Sequence, residues 1–175
     1  MRFAVLFLAP MLLAADAPKA VKFGPLAATP PADWKSEKPA NRLRSHQFKI
    51  ASTIEGLADA EVIVMPESKP KPEQVFPGWK DQFVPPDGKT IDDVAKESKV
   101  EVTGATLHML DVSGTWKYKE RPFDPKSKLE MKPEYRAIWV IVAAKDEATH
   151  VRLAGPEKVV EKHKAAFDAW LKSMK

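Results

Sequence analysis

Ala137-Ile-Trp-Val-Ile-Val-Ala-Ala144, followed by Lys145-Asp-Glu-Ala-Thr149, His150-Val-Arg-Leu153 and Gly155-Pro156, is the stretch on which the fold turns. Every position from Ala137 to Ala144 is apolar, so both sides of its pleat are greasy, as in a central strand covered on both faces. The run is too short to span a membrane as a helix. After the polar turn, His150 to Leu153 alternates polar and apolar, the pattern of a strand with one covered face. A hairpin is the simplest join. Gly155-Pro156 then opens a helix, because proline at the first helical position forfeits no intrahelical hydrogen bond, and Glu157 complements the positive helix end. Val159, Val160, His163, Phe167, Trp170, Leu171 and Met174 recur at three- and four-residue spacing, with Glu157, Lys158, Glu161, Lys162, Lys164, Asp168 and Lys172 on the other face. Each apolar member of that stripe contributes about 1.5–3 kcal/mol when buried, so the helix is a clamp on the sheet.

Working outward, the 175 residues suffice for one domain, and 16 prolines against 7 glycines favour extended irregular segments. Met1-Arg2, the apolar run Phe3 to Leu13 and the small residues Ala14, Ala15 and Ala17 read as a signal peptide over residues 1–17, with cleavage after Ala15 as the alternative. The chain is therefore expected to be exported, periplasmic or extracellular, with no transmembrane anchor after cleavage. It has no cysteine, which excludes disulfides and a lipid-attached cysteine. The formal net charge of +4 bears on solubility and association and names no partner.

Residues 18–40, rich in Pro, Ala and Lys, read as a linker in which Trp34 packs on the domain edge. A single domain over residues 41–175 follows. Leu43 to Ile50 and Ala60 to Met65 read as the first two strands, with Gly56 in the turn between them. Val75, Trp79 and Phe83 mark a short helical face interrupted at Pro77-Gly78, placing the regular helix at about residues 77–83. Thr90 and Asp93 have the spacing to cap one helical turn before Val100-Glu-Val102, a Thr103-Gly104 turn and a strand from Ala105 to Val112. The expectation is an α+β fold: an antiparallel sheet of about six strands covered by a short helix and a long C-terminal helix. Lys117 to Pro133 reads as one long loop.

Several phrases together resemble a group of exported bacterial proteins of uncharacterised function: Asn41-Arg-Leu-Arg-Ser-His-Gln-Phe-Lys-Ile50, Gln82-Phe-Val-Pro-Pro-Asp-Gly-Lys89, Leu110-Asp-Val-Ser-Gly-Thr-Trp116, Leu153-Ala-Gly-Pro156 and Phe167-Asp-Ala-Trp-Leu-Lys-Ser173. The chain departs from that group at Glu67-Ser-Lys-Pro-Lys-Pro72 and Val75-Phe-Pro-Gly78. More distantly, an early tryptophan, the order of helices and antiparallel strands, and a closing helix ending in serine are similar to the PsbP-like α/β/α sandwich. That resemblance implies a binding or assembly module and no particular catalysis.

The candidate chemistry is sparse. His46, His108, His150 and His163 form no metal-ligand pair, so neither a metal nor a cofactor is expected. Asp111 near Ser113 has the residue types of a base and nucleophile but lacks the rest of a catalytic set. An Asp111–Arg44 ion pair is the expected arrangement, since a half-buried carboxylate needs a partner. The cations and aromatics of the long loop, Lys117, Tyr118, Lys119, Arg121, Phe123, Lys126, Lys128 and Lys132, form the expected contact surface for an envelope protein or an anionic polymer or lipid surface. Nucleic acid is not expected as the target of an exported chain. The reading is a non-enzymatic binding or assembly module of the cell envelope. The alternative is a small ligand-binding or hydrolase-like domain with a cleft near Arg44, His108 and Asp111.

Overall fold

The computed structural model describes residues 18–67, 71–119, 124–145 and 147–175; the expected signal peptide, residues 1–17, lies outside them. The elements in chain order are β1 (Val21–Phe23), β2 (Leu26–Ala28), β3 (Lys35–Glu37), β4 (His46–Ile50), β5 (Ala60–Glu67), α1 (Pro72–Lys80), β6 (Phe83–Val84), α2 (Ile91–Val94), β7 (Ala95–Val102), β8 (Ala105–Lys119), β9 (Leu129–Ala144), β10 (Glu147–Pro156) and α3 (Glu157–Lys172).

The apolar run sits where its two greasy faces require. It forms the second half of β9, between β10 and β8 in an antiparallel sheet ordered β3-β4-β5-β10-β9-β8-β6. Strand β7 joins β6 on the outer edge of β8, making eight strands where about six were expected. Ile138, Val140 and Val142 point to α3, while Ala137, Trp139 and Ile141 point to α1. Helices thus cover both faces.

Helix α3 buries the expected stripe, with Val160, Phe167 and Leu171 fully enclosed against the sheet. Thr90 and Asp93 cap α2 as their spacing predicts, Asp93 Oδ2 accepting both the backbone N–H and the hydroxyl of Thr90 at 2.7 Å. Helix α1 differs from expectation. It starts at Pro72 and runs through Pro77, whose ring removes one hydrogen bond from a short helix, and it ends before Phe83, which pairs with Trp116 as part of β6.

Residues 18–40 are not the linker that their composition suggests. Strands β1 and β2 form a hairpin, and Ala27 and Lys175 exchange two backbone hydrogen bonds, tying that hairpin to the chain end. Val21, Phe23 and Trp34 are buried. Trp34 packs among Phe48, Phe167 and Trp170, with the Trp170 ring 5.1 Å away edge to face. Aromatic burial overrides a proline-rich composition here.

Both ends of the expected loop over residues 117–133 are strand, at residues 117–119 and 129–133. Lys117, Tyr118 and Lys119 pair with Met131, Glu130 and Leu129, so β8 and β9 extend as a two-stranded arm. A register shift between Gly114 and Trp116 bends β8 where the arm begins. Gly114 has φ 145°, and a Cβ there would lie 2.5 Å from the Val84 carbonyl oxygen, so the bend needs glycine.

Candidate functional site

A cleft of about 870 Å³ opens on the α1 face of the sheet. Its floor is β10. His150 and Arg152 lie two residues apart on one side of that strand, beside Ile141 and Trp139 of β9 and opposite Met65 and Ile63 of β5. Their polar alternation reads in sequence as the open face of a strand covered on one side, yet His150 is buried and the Arg152 side chain is 13% exposed. The all-apolar neighbour strand was the available signal: β10 pairs along its length with a strand covered on both faces, which sets His150 and Arg152 beside the buried Ile141 and Trp139 and not at an open edge.

Arg44 reaches the cleft from the turn before β4. Asn41 makes that turn, its side-chain oxygen accepting the Leu43 N–H at 3.0 Å and its carbonyl the Arg44 N–H at 3.3 Å. The guanidinium then donates from Nη1 to Gln47 Oε1 at 2.8 Å and to Glu61 Oε2 at 2.9 Å. Arg152 Nη2 donates to the other Glu61 oxygen, Oε1, at 3.2 Å. One carboxylate thus bridges two guanidiniums, leaving one net positive charge at the base of an apolar cavity.

Arg152 is incompletely satisfied. Its Nε is buried without a hydrogen-bond partner among the described residues. Burial pulls its pKa below the usual arginine value, while Glu61 pulls the other way. A guanidinium starts so high that it stays charged at neutral pH. Its carbon lies 5.0 Å from the centre of the Trp116 ring, which supplies a cation–π contact in place of lost hydration.

Stacked rings build the walls. Trp79 of α1 lies parallel to His150, with centroids 4.6 Å apart, and to Trp139 at 5.5 Å. Trp116 is held by Phe83 and Tyr118, and its indole N–H points at Gln82 Oε1, 3.4 Å away. Rings locked by their neighbours present preformed apolar edges to a ligand. Leu43, 55% exposed, stands at the mouth. Arg42, Lys117 and Lys119 also line the opening, against Asp124.

The structure separates the expected residues. Arg44 lines the cleft, whereas Asp111 lies on the opposite face of the sheet, so the expected Asp111–Arg44 pair does not form. Asp111 is held by Arg136 of β9, and Arg136 also donates to Glu161 of α3. Both Asp111 oxygens are taken by that guanidinium, which removes the basis for a general base beside Ser113. His108 shares the α1 face but sits beyond the cleft, paired in register with Lys99 and Ile141. An Arg44, His108 and Asp111 constellation is therefore absent.

Of the arm, Lys117, Tyr118 and Lys119 line the cleft. The Lys132 ammonium stands over the Tyr118 ring, 3.8 Å from its centre. Lys126 and Lys128 occupy the tip side, and Arg121 and Phe123 lie outside the described residues. Among the described residues no cluster of His, Cys, Asp or Glu is placed to hold a metal ion, and no helix is long and apolar enough to cross a membrane.

No family model matches the chain, and no curated protein does. Solved structures similar to it include the following two. LpqN of Mycobacterium tuberculosis, described as involved in cell envelope biogenesis, aligns with TM-score 0.49 and 12% identity over 86% of this chain and 82% of its own. Cyanobacterial PsbP (CyanoP) of Synechocystis sp. PCC 6803 aligns with TM-score 0.49 and 13% identity over 95% of this chain and 96% of its own. The second belongs with the PsbP proteins that the sequence distantly resembles. Neither likeness speaks to what this cleft holds.

Proposed function

We propose that this chain is an exported, non-enzymatic binding module and that the cleft is its ligand site, taking an anionic molecule with an apolar body. The observation that carries the reading is the bridge at the cleft floor: Arg44 and Arg152 share the single carboxylate of Glu61. Two half-buried guanidiniums neutralised by one acid are poised for a second anion, and the surrounding indoles favour an apolar remainder. Export, to the periplasm or beyond the cell, is supported by the leader-like residues 1–17.

The test is titration of the purified protein with 8-anilinonaphthalene-1-sulfonate, an anion with an apolar ring system, followed by dye fluorescence. Saturable binding that weakens at least tenfold in Arg44→Gln supports the cleft, and absence of saturable binding overturns it. Cell fractionation tests the location: recovery of the chain in the cytoplasm with its leader intact would sink the exported half of the reading.

A second reading is favoured by one feature of the arm. Leu129 and Met131 are 48% and 50% exposed and lie opposite Lys119 and Lys117 on the face turned away from the Trp116 and Tyr118 rings. Exposed apolar side chains interleaved with lysines suit a partner protein or an anionic surface in the envelope. Charge reversal at Lys117, Lys119, Lys126 and Lys128 should then abolish salt-sensitive capture from envelope extracts, and unchanged capture would refute it.

A further inference from the structure

We infer that the cleft selects a singly charged organic acid, a carboxylate on an apolar body, over a doubly charged one, and that Glu61 sets this preference. The inference rests on the proposed anion site and deepens it. Glu61 gives one oxygen to each arginine, so a ligand anion approaching either guanidinium does so next to a fixed negative charge. The arginine pair has one charge to spare. A carboxylate uses that spare charge and matches the planar donor edge of a guanidinium. A phosphate monoester, mostly dianionic at pH 8, brings a second charge for which the cleft floor has no counter-ion, and the Glu61 carboxylate that already bridges the two arginines opposes it.

Geometry also places the rest of such an acid. Arg152 lies under the Trp116 ring on the floor strand, and Met65, Ile63 and Leu43 line the same cleft. A head at the arginines therefore leaves an apolar chain or ring against hydrophobic side chains, where its burial adds affinity without directional demands. The partnerless Arg152 Nε marks the depth at which donor capacity remains.

The test compares decanoate, decyl phosphate and decanol, which share one alkyl body, by calorimetric titration of the native protein at pH 8 below their aggregation concentrations. Decanoate is expected to bind at least tenfold tighter than either of the others. In Glu61→Gln, which keeps an acceptor but removes the charge, decyl phosphate should gain at least tenfold relative to decanoate. Decyl phosphate binding the native protein as tightly as decanoate overturns the selectivity while leaving the anion site standing. Equal binding of decanol and decanoate overturns the acid head, and failure of all three brings down the cleft reading itself. The ranking in the native protein needs no variant, so poor folding of Glu61→Gln does not remove the test.

Discussion

Arg136 grips Asp111 through two parallel hydrogen bonds, Nε to Oδ1 and Nη2 to Oδ2, each 2.7 Å long, across neighbouring strands β8 and β9. The side chains are 16% and 19% exposed, and Arg136 also reaches Glu161 on α3. The carboxylates beside it hold the Arg136 pKa above the usual arginine range. Asp111→Ala leaves that guanidinium half-buried with only an exposed partner, so stability should fall by about 3 kcal/mol in urea unfolding. Because the pair faces α3, anion affinity at the cleft should not change. A loss of binding with unchanged stability would show that Asp111 serves the site.

Arg152 has the opposite profile. Replacing a buried, incompletely bonded charge by an apolar side chain of similar length is often neutral or stabilising, and Glu61 keeps Arg44 as its partner. Arg152→Met should therefore unfold within about 1 kcal/mol of the native protein, or later, while anion binding weakens at least tenfold. Paired urea unfolding and dye titration check this, and a variant that binds normally would remove Arg152 from the site.

Trp34 tests whether residues 18–40 belong to the fold. It is 3% exposed and ringed by Phe48, Phe167 and Trp170. Trp34→Ala should cost about 3–5 kcal/mol, the usual range for deleting a buried aromatic. A chain beginning at residue 41 also loses Val21 and Phe23 and should lack cooperative thermal unfolding by circular dichroism. A sharp native-like transition would return this segment to the status of a linker.

Gly155 links packing to the site. A Cβ there would lie 2.8 Å from Ala60 Cβ and 2.9 Å from Ala60 Cα, so Gly155→Ala must push β5 away from β10. Overpacking of this kind costs about 1–3 kcal/mol. Ala60 adjoins Glu61, and the same displacement should loosen the Arg152–Glu61 contact and weaken anion binding. Melting temperature and dye affinity should fall together, whereas a variant with both unchanged would show that the strands yield freely.

Acid sensitivity should come partly from two surface aspartates. The Asp59 pKa is lowered by hydrogen bonds from Lys49 and from the Ser52 backbone N–H, and the Asp93 pKa by those from the Thr90 backbone N–H and hydroxyl. A carboxyl more acidic in the folded chain stabilises it fully above the ordinary value of 3.8 and loses that contribution as pH falls through the depressed folded value. The urea midpoint should thus drop below about pH 4, and less steeply in Asp59→Asn with Asp93→Asn. An equally steep drop in that double variant would exclude both groups.

Much of the architecture was legible because it depends on neighbours a few residues apart. The apolar period of α3, the all-apolar half of β9, the turn at Thr103-Gly104 and the Thr90–Asp93 cap are local statements, and the structure realises each. The misreadings share a cause. Residues 18–40 and 117–133 have loop-like composition, yet the first packs against aromatic rings from α3 and β4, and the two ends of the second pair with each other as strands. Neither contact is visible in the composition of the segment itself.

By itself the sequence determined the order of most elements, the two-sided burial of the central strand and the absence of cysteine chemistry, because periodicity and residue type act over one or two turns of chain. Only the tertiary structure decided which charges meet. The order β5-β10-β9-β8 sets Glu61 beside Arg152, 91 residues away in the chain, and gives Asp111 to Arg136 while placing Arg44 on the other face. Charge partners are chosen by adjacency of strands and by the side of the pleat, and both depend on how the whole sheet assembles.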